Sequence, residues 1–97
     1  MSTYIVLGQF TDQGIRNIKD TPKRVDALKE MAKKAGATVK EVYWTLGQYD
    51  VVTVVDAPDD ASLTGLLLSV GALGNVRTEA LRAFSQTEMG GILRKMT

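Results

Sequence analysis

Four segments of this chain are rich in β-branched and aromatic residues and are bounded by glycine, proline or polar clusters. This pattern predicts four β-strands. They cover residues 4–10, 38–46, 49–56 and 76–85. The polar residues 11–14 come directly after the first strand and are predicted to form a loop.

Hydrophobic residues recur every three or four positions in two segments that lie between strands, which predicts two amphipathic helices. The first helix is predicted to begin with Thr21 as its N-cap and Pro22 at its first position, and to end at Gly36. The second is predicted to begin within residues 57–60 and to end at Gly74-Asn75. Residues 1–86 are expected to form one domain, and residues 87–97 a C-terminal tail with a short helical turn at 92–96.

The predicted order is β-α-β-β-α-β, which is the ferredoxin-like arrangement of the α+β class. Right-handed crossovers place the first and third strands at the centre of a four-stranded antiparallel sheet, with both helices on one face.

The second and third strands are predicted to form a hairpin through a two-residue type II′ turn at Gly47-Gln48. This register puts Trp44 opposite Val51 and Thr45 opposite Asp50. Leu46 and Tyr49 then fall on the face beneath the helices. The opposite face carries a mixed set of side chains: Glu41, Tyr43, Thr45, Asp50, Val52 and Val54.

The face without helices is too apolar to remain in water, because a sheet covered on one side normally alternates more cleanly between apolar and polar residues. We expect a second copy of the same sheet to cover it in a two-fold dimer or a multiple of dimers. Two sheets packed in this way form a dimeric α+β barrel, which can enclose a cavity.

The chain contains neither cysteine nor histidine. Disulfides, thiolate nucleophiles, Cys/His zinc sites, histidine-ligated haem and Ser-His-Asp triads are therefore excluded, and no cofactor is expected. The absence of cysteine favours a cytoplasmic location. A net charge of +1 with interspersed acids and bases gives no indication of nucleic-acid binding. No apolar run is long enough for a membrane span, and no secretory signal is visible at the N-terminus.

Three short motifs resemble those of the GYD domain family. They are Thr11-Asp12-x-Gly14 after the first strand, Gly47-x-Tyr49-Asp50 at the hairpin, and residues 74–78 (GNVRT) at the entry to the last strand. The resemblance covers roughly residues 3 to 86. It implies a branch of the dimeric α+β barrel group, which includes small enzymes and ligand-sensing modules. It implies no particular activity, and the histidine used by several enzymes of that group is absent here.

Asp50 is the first candidate for a catalytic carboxylate, because enclosure by a partner sheet would raise its pKa toward that of a useful base. The alternative is that Asp50 accepts backbone amide hydrogens or pairs with an arginine across the sheet. Further candidate ligand-binding residues are Tyr43, Thr45, Tyr49, Arg82 and Asp12. Each has a structural alternative: core or interface packing for the tyrosines, an acidic partner for Arg82, and a turn cap for Asp12.

Two functions remain open. One is a protein with a small-molecule pocket between the sheets, which binds a ligand or catalyses a cofactor-free reaction. The other is an oligomerisation or interaction module without catalytic activity. A closed interface whose polar groups are all satisfied would favour the module, whereas an open cavity with an unpaired Asp50 would favour the pocket. The sequence does not decide whether the protein is an enzyme.

Overall fold

A computed structural model describes all residues, 1–97. The strands are β1 (Ser2–Phe10), β2 (Thr38–Trp44), β3 (Val51–Ala57) and β4 (Val76–Ala83). The helices are α1 (Asp12–Arg16), α2 (Thr21–Lys34), α3 (Asp60–Ala72) and α4 (Gln86–Leu93), and a 3-10 turn at Ile18–Asp20 leads into α2. None of these helices combines the length and the apolarity that a membrane span requires.

The sheet confirms the predicted α+β topology. Its strand order is β2-β3-β1-β4, and every neighbouring pair is antiparallel. β1 and β3 are thus the central strands. The predicted pairs Trp44–Val51 and Tyr43–Val52 both occur. A bulge between Val39 and Glu41 shifts the register earlier in β2.

One face of the sheet packs against α2 and α3, and this layer contains the hydrophobic core. From the sheet it takes alternate residues of β1 and β3, as the two-residue period requires. The buried hydrophobic residues are Tyr4, Val6, Ala32, Ala37, Val55, Ala57, Leu63 and Leu66. The Asp59 carboxylate caps α3 by accepting the Ser62 N–H at 2.8 Å.

The opposite face of the sheet has no helix over it, and we call it the bare face. The apolar rows at its centre consist of Ile5, Leu7, Val52, Val54 and Leu81, and the charged residues Glu41 and Glu79 flank them on the outer strands β2 and β4. Leu81 keeps 45% of its surface exposed, and the other apolar residues are half-buried by their neighbours within the sheet.

The hairpin differs from the prediction. No Tyr49 N–H to Leu46 carbonyl bond closes a two-residue turn; the last rung is the 2.8 Å bond from the Thr45 N–H to the Asp50 carbonyl. The chain therefore leaves the ladder after Thr45, and residues 46–49 form a four-residue loop in which Gly47 takes a φ of +118°. Leu46, predicted to lie beneath the helices, is fully exposed in this loop.

Two other segments are more helical than predicted. Residues 12–16, predicted as loop, form α1, because the Thr11 hydroxyl caps it by accepting the Gly14 N–H at 3.1 Å. The helix expected at 92–96 instead spans Gln86–Leu93. Its start is fixed by a capping box in which the Ser85 and Glu88 side chains each accept the other residue's N–H.

Candidate functional site

The three sequence motifs meet at one end of the sheet, where β1 ends and β3 and β4 begin. The Thr11 N–H donates to the Asn75 carbonyl at 3.1 Å, and the Thr11 hydroxyl donates to the Gly74 carbonyl at 2.5 Å. The Gln13 side-chain amide donates to Asn75 Oδ1 at 3.0 Å. These bonds join the first motif to the third, and we call this region the motif junction.

Gly14 allows the two segments of the motif junction to approach each other. A Cβ built on Gly14 would overlap the Asn75 carbonyl oxygen and lie 3.2 Å from Arg24 Nη1. The Gly14 carbonyl accepts a bond from Arg24 Nη2 at 3.1 Å. Glycine is therefore required here by close approach of two backbones.

Asp50 joins the second motif to the same end of the sheet. Its Oδ2 accepts the Phe10 N–H at 2.8 Å, and its own N–H donates to the Gly8 carbonyl at 2.9 Å. The carboxylate thus satisfies the last amide of β1, beyond the end of the backbone ladder. This is the backbone-amide arrangement that the sequence offered as the alternative to a catalytic base.

The Tyr49 side chain lies on the bare face, not beneath the helices as predicted. Its hydroxyl donates to Glu79 at 2.8 Å, and Glu79 shares that face with Leu7. The prediction was wrong because the wider loop breaks the alternation between Thr45 and Asp50. The hydrogen bond to Glu79, with smaller effects of desolvation and of the carboxylate charge, raises the pKa of Tyr49.

Tyr43 and Thr45 make contacts within the same hairpin. The Tyr43 hydroxyl donates to Glu41, and this bond raises the pKa of Tyr43. The Thr45 hydroxyl donates to the Tyr49 carbonyl at 2.6 Å. Tyr43, Thr45, Tyr49 and Asp50 are therefore gathered around one hairpin, as the sequence suggested.

Arg82 lies away from this group. It pairs with Tyr4 across the strands, on the helix side and near the other end of β1. Its guanidinium lies 4.5 Å from the Phe84 ring centroid and contacts Glu88 at 3.2 Å. The hydrogen bond from the Ser85 N–H has the largest effect in lowering the pKa of Glu88, and the hydrogen bond from Arg82 lowers it further. Arg82 therefore anchors the start of α4, and the acidic partner Glu88 matches its structural alternative.

Asp12 is exposed in the first turn of α1, next to the Thr11 cap. Its carboxylate makes no hydrogen bond or ion pair within the chain. No group of three or more acidic side chains converges in a way that could hold a metal ion.

A cleft that the sequence did not reveal lies between α2, α3 and the helix side of the sheet. It encloses about 110 Å³, and its lining includes Asn75 of the motif junction. Arg24 is the one charged residue among mainly apolar walls. No sequence signal marks this cleft, because its width depends on how far apart α2 and α3 sit.

A family model described as the GYD domain matches residues 4–93. A protein of Thermus thermophilus, described as a glutamine synthetase and cystathionine beta-lyase binding protein, is 33% identical over 90 residues. The match covers 92% of this chain and 95% of that protein.

Solved structures share the fold. The T. thermophilus protein TTHA0845 superposes with a TM-score of 0.56 and 32% identity, over 88% of this chain and 95% of that one. A feast or famine regulatory protein from M. tuberculosis, complexed with L-methionine, gives a TM-score of 0.68 at 21% identity. That match covers 89% of this chain but 52% of the regulator, so the chain spans about half of the regulator's length.

Proposed function

The chain belongs to the GYD domain family, and we propose that it is a homodimeric binding module that docks onto partner proteins, not a catalyst. The bare face carries this proposal. Its apolar rows run through the centre of the sheet and nothing within the chain covers them, whereas the other face is buried under α2 and α3.

The proposed occupant of the bare face is a second copy of the chain. Four strands about 4.8 Å apart and about 20 Å long have a footprint of roughly 400 Å² per copy. Because protruding side chains add accessible surface to this flat footprint, two copies together bury on the order of 1,000 Å². A buried area of this size is near the lower limit for a specific interface, so the partner must cover almost the whole bare face. A second sheet of the same size does so, with aligned packing about 10 Å apart.

The polar groups beside this face already have partners. Asp50 accepts the Phe10 amide, Tyr49 donates to Glu79, and Thr45 donates to the Tyr49 carbonyl. Polar groups that already have hydrogen-bond partners cost less to bury in an interface than unpartnered ones. These partnered groups support a closed dimer contact over an open reaction site.

For the partner protein, we propose that α4 forms the contact. The capping box and the Arg82–Glu88 pair fix its start, yet α4 packs against no other element to a substantial extent. Apolar side chains stay exposed along α4 (Met89 and Leu93) and just beyond its two ends (Phe84 and Met96). A preformed helix with an uncovered apolar side suits insertion into a groove. The T. thermophilus relative is described as a binding protein of glutamine synthetase and cystathionine beta-lyase, which supports proteins as the partner class and makes these two enzymes the first to test.

Paired substitutions test the two contacts separately. Leu81→Glu puts a charge among the apolar rows of the bare face and is expected to give monomers, whereas Leu68→Glu, on the exposed side of α3, is expected to leave the dimer intact. Leu93→Glu is expected to keep the dimer and to abolish binding of the purified enzymes in a surface-binding assay. Dimers that survive Leu81→Glu would refute the sheet contact. Monomers of Leu93→Glu would instead assign α4 to the dimer contact.

A second candidate, a small-molecule site between the two sheets, is favoured by the Tyr49–Glu79 pair, which places a phenol and a carboxylate on the bare face. Tyr43 and Asp50 are nearby on the same hairpin. Native mass spectrometry of the freshly purified dimer tests it. A stoichiometric added mass that Tyr49→Phe abolishes supports this site, and the bare polypeptide mass counts against it.

A further inference from the structure

The cleft between α2, α3 and the sheet has the size of a small organic molecule. A single water needs about 10–15 Å³ of such space, and an apolar cavity of about 150 Å³ holds benzene. At about 110 Å³, this cleft holds a body of roughly four to six carbon atoms. Its walls are aliphatic on three sides, including Val25 and Leu28 of α2, Val70 of α3 and Val51 of the sheet.

Arg24 supplies the one charge in the lining. Its Nη2 donates to the Gly14 and Asn17 carbonyls at 3.1 and 2.9 Å, and its guanidinium lies 5.7 Å from the Phe10 ring centroid. No carboxylate of the chain forms an ion pair with it. Its Nε is buried and has no hydrogen-bond partner. A buried guanidinium N–H normally donates to an acceptor, and a carboxylate is the acceptor that a guanidinium binds most strongly.

The lining also limits what else the ligand carries. No aspartate or glutamate contributes to the cleft, so an ammonium group would be buried there without a counter-charge. The other polar side chains in the lining are Thr21, Thr53, Asn75 and Thr78.

We propose that this cleft binds a small aliphatic monocarboxylate without an α-amino group, with its carboxylate on Arg24 and its hydrocarbon body between the helices and the sheet. The site is separate from the bare face and from α4, so it is independent of the proposed dimer and of the protein partner.

Three probes of the same shape test the proposal by NMR titration of the full-length protein: 4-methylpentanoate, L-leucine and 4-methylpentan-1-ol. The expected result is saturable shifts of cleft amides, such as those of Val25, Thr53 and Val70, with 4-methylpentanoate. L-leucine and the alcohol are expected to bind at least tenfold more weakly, because one buries an unpaired ammonium and the other lacks the charge. No saturation by 4-methylpentanoate up to on the order of 10 mM would overturn the proposal, and so would equal binding of the three probes.

Two variants locate the site. Val70→Phe fills the cleft from α3 and is expected to abolish the shifts while amide dispersion is retained. Arg24→Met is expected to remove the preference for the acid over the alcohol. Because Arg24 also holds the Gly14 and Asn17 carbonyls, Val70→Phe decides the matter if Arg24→Met does not fold. Undiminished 4-methylpentanoate binding by folded Val70→Phe would place the ligand elsewhere and overturn the proposal.

Discussion

Two glycines have opposite surroundings: Gly14 is crowded in the motif junction, whereas Gly65 in α3 has open space around it. Gly14→Ala adds a methyl group that would overlap the Asn75 carbonyl oxygen, and that carbonyl belongs to rigid backbone. Gly65→Ala makes the same chemical change inside α3, where no heavy atom lies within 4 Å of the added carbon. The two substitutions are expected to change stability in opposite directions.

The magnitude for Gly14→Ala is set by the contacts that must separate. Moving Asn75 away strains the Thr11 bonds to the Gly74 and Asn75 carbonyls, each worth about 0.5–1.5 kcal/mol, and disturbs the packing around them. A loss of about 2–4 kcal/mol is expected, which lowers Tm by roughly 10–20 °C for a domain of this size. Gly65→Ala is expected to raise stability by about 0.5–1 kcal/mol, because alanine is the better residue in a helix interior.

Thermal unfolding monitored by circular dichroism measures both variants against the parent chain at one protein concentration. The φ of Gly14 is not in the left-handed region, so the effect there is steric rather than conformational. A Gly14→Ala protein that melts with the parent would refute the close approach. A destabilised Gly65→Ala protein would refute the open environment assigned to that part of α3.

Three further predictions concern hydrogen bonds to single side chains. Asp50→Ala leaves the Phe10 N–H without its acceptor and is expected to cost about 1–3 kcal/mol in denaturant unfolding, while Asp50→Asn keeps an oxygen and costs less; equal effects of the two would contradict this role. The pKa of Tyr49 is raised. The stability contributed by its hydrogen bond to Glu79 is therefore complete below the ordinary tyrosine pKa and is lost as the pH rises through the raised pKa. Tyr49→Phe should therefore remove one of the raised steps from a spectrophotometric phenol titration, and an unchanged titration would exclude the Glu79 bond. The Ser62 N–H lowers the pKa of Asp59, so the stabilisation by this cap is present above the ordinary aspartate value and is lost as the pH falls through the lowered one. Asp59→Ala should lower Tm at neutral pH by more than at pH 2, and a pH-independent difference would count against the charged cap.

The alternating pattern was enough to predict the sheet. β-branched residues at two-residue spacing located the strands, the order of elements implied β1 and β3 at the centre, and the hairpin implied the pairs Trp44–Val51 and Tyr43–Val52. These features depend on local periodicity, which a single sequence displays directly.

The errors arose where side chains compete with the backbone. A glycine-containing hairpin suggested a two-residue turn, but Thr45 and Asp50 close the ladder earlier, so Tyr49 turned to the other face. The capping box of α4 was visible as Ser85 and Glu88 at three-residue spacing and would have placed the start of the helix correctly.

The candidate site was predicted only as far as the hairpin reaches. Tyr43, Thr45, Tyr49 and Asp50 cluster because they are close in sequence. The convergence of the three motifs depends on tertiary contacts such as that of Gly14 with Asn75, and the cleft depends on the spacing of two helices. Arg24 sits at an ordinary polar position of an amphipathic helix, so no period in the sequence distinguishes it.

The mass of the unmodified chain in solution tests the central claim most directly. Sedimentation velocity over a range of micromolar concentrations is expected to give twice the 10.5 kDa of one chain, or a multiple of that dimer, because the bare face is covered by a second copy. A single species at 10.5 kDa across the whole range would contradict the account, since the apolar rows of β1, β3 and β4 would then remain in water.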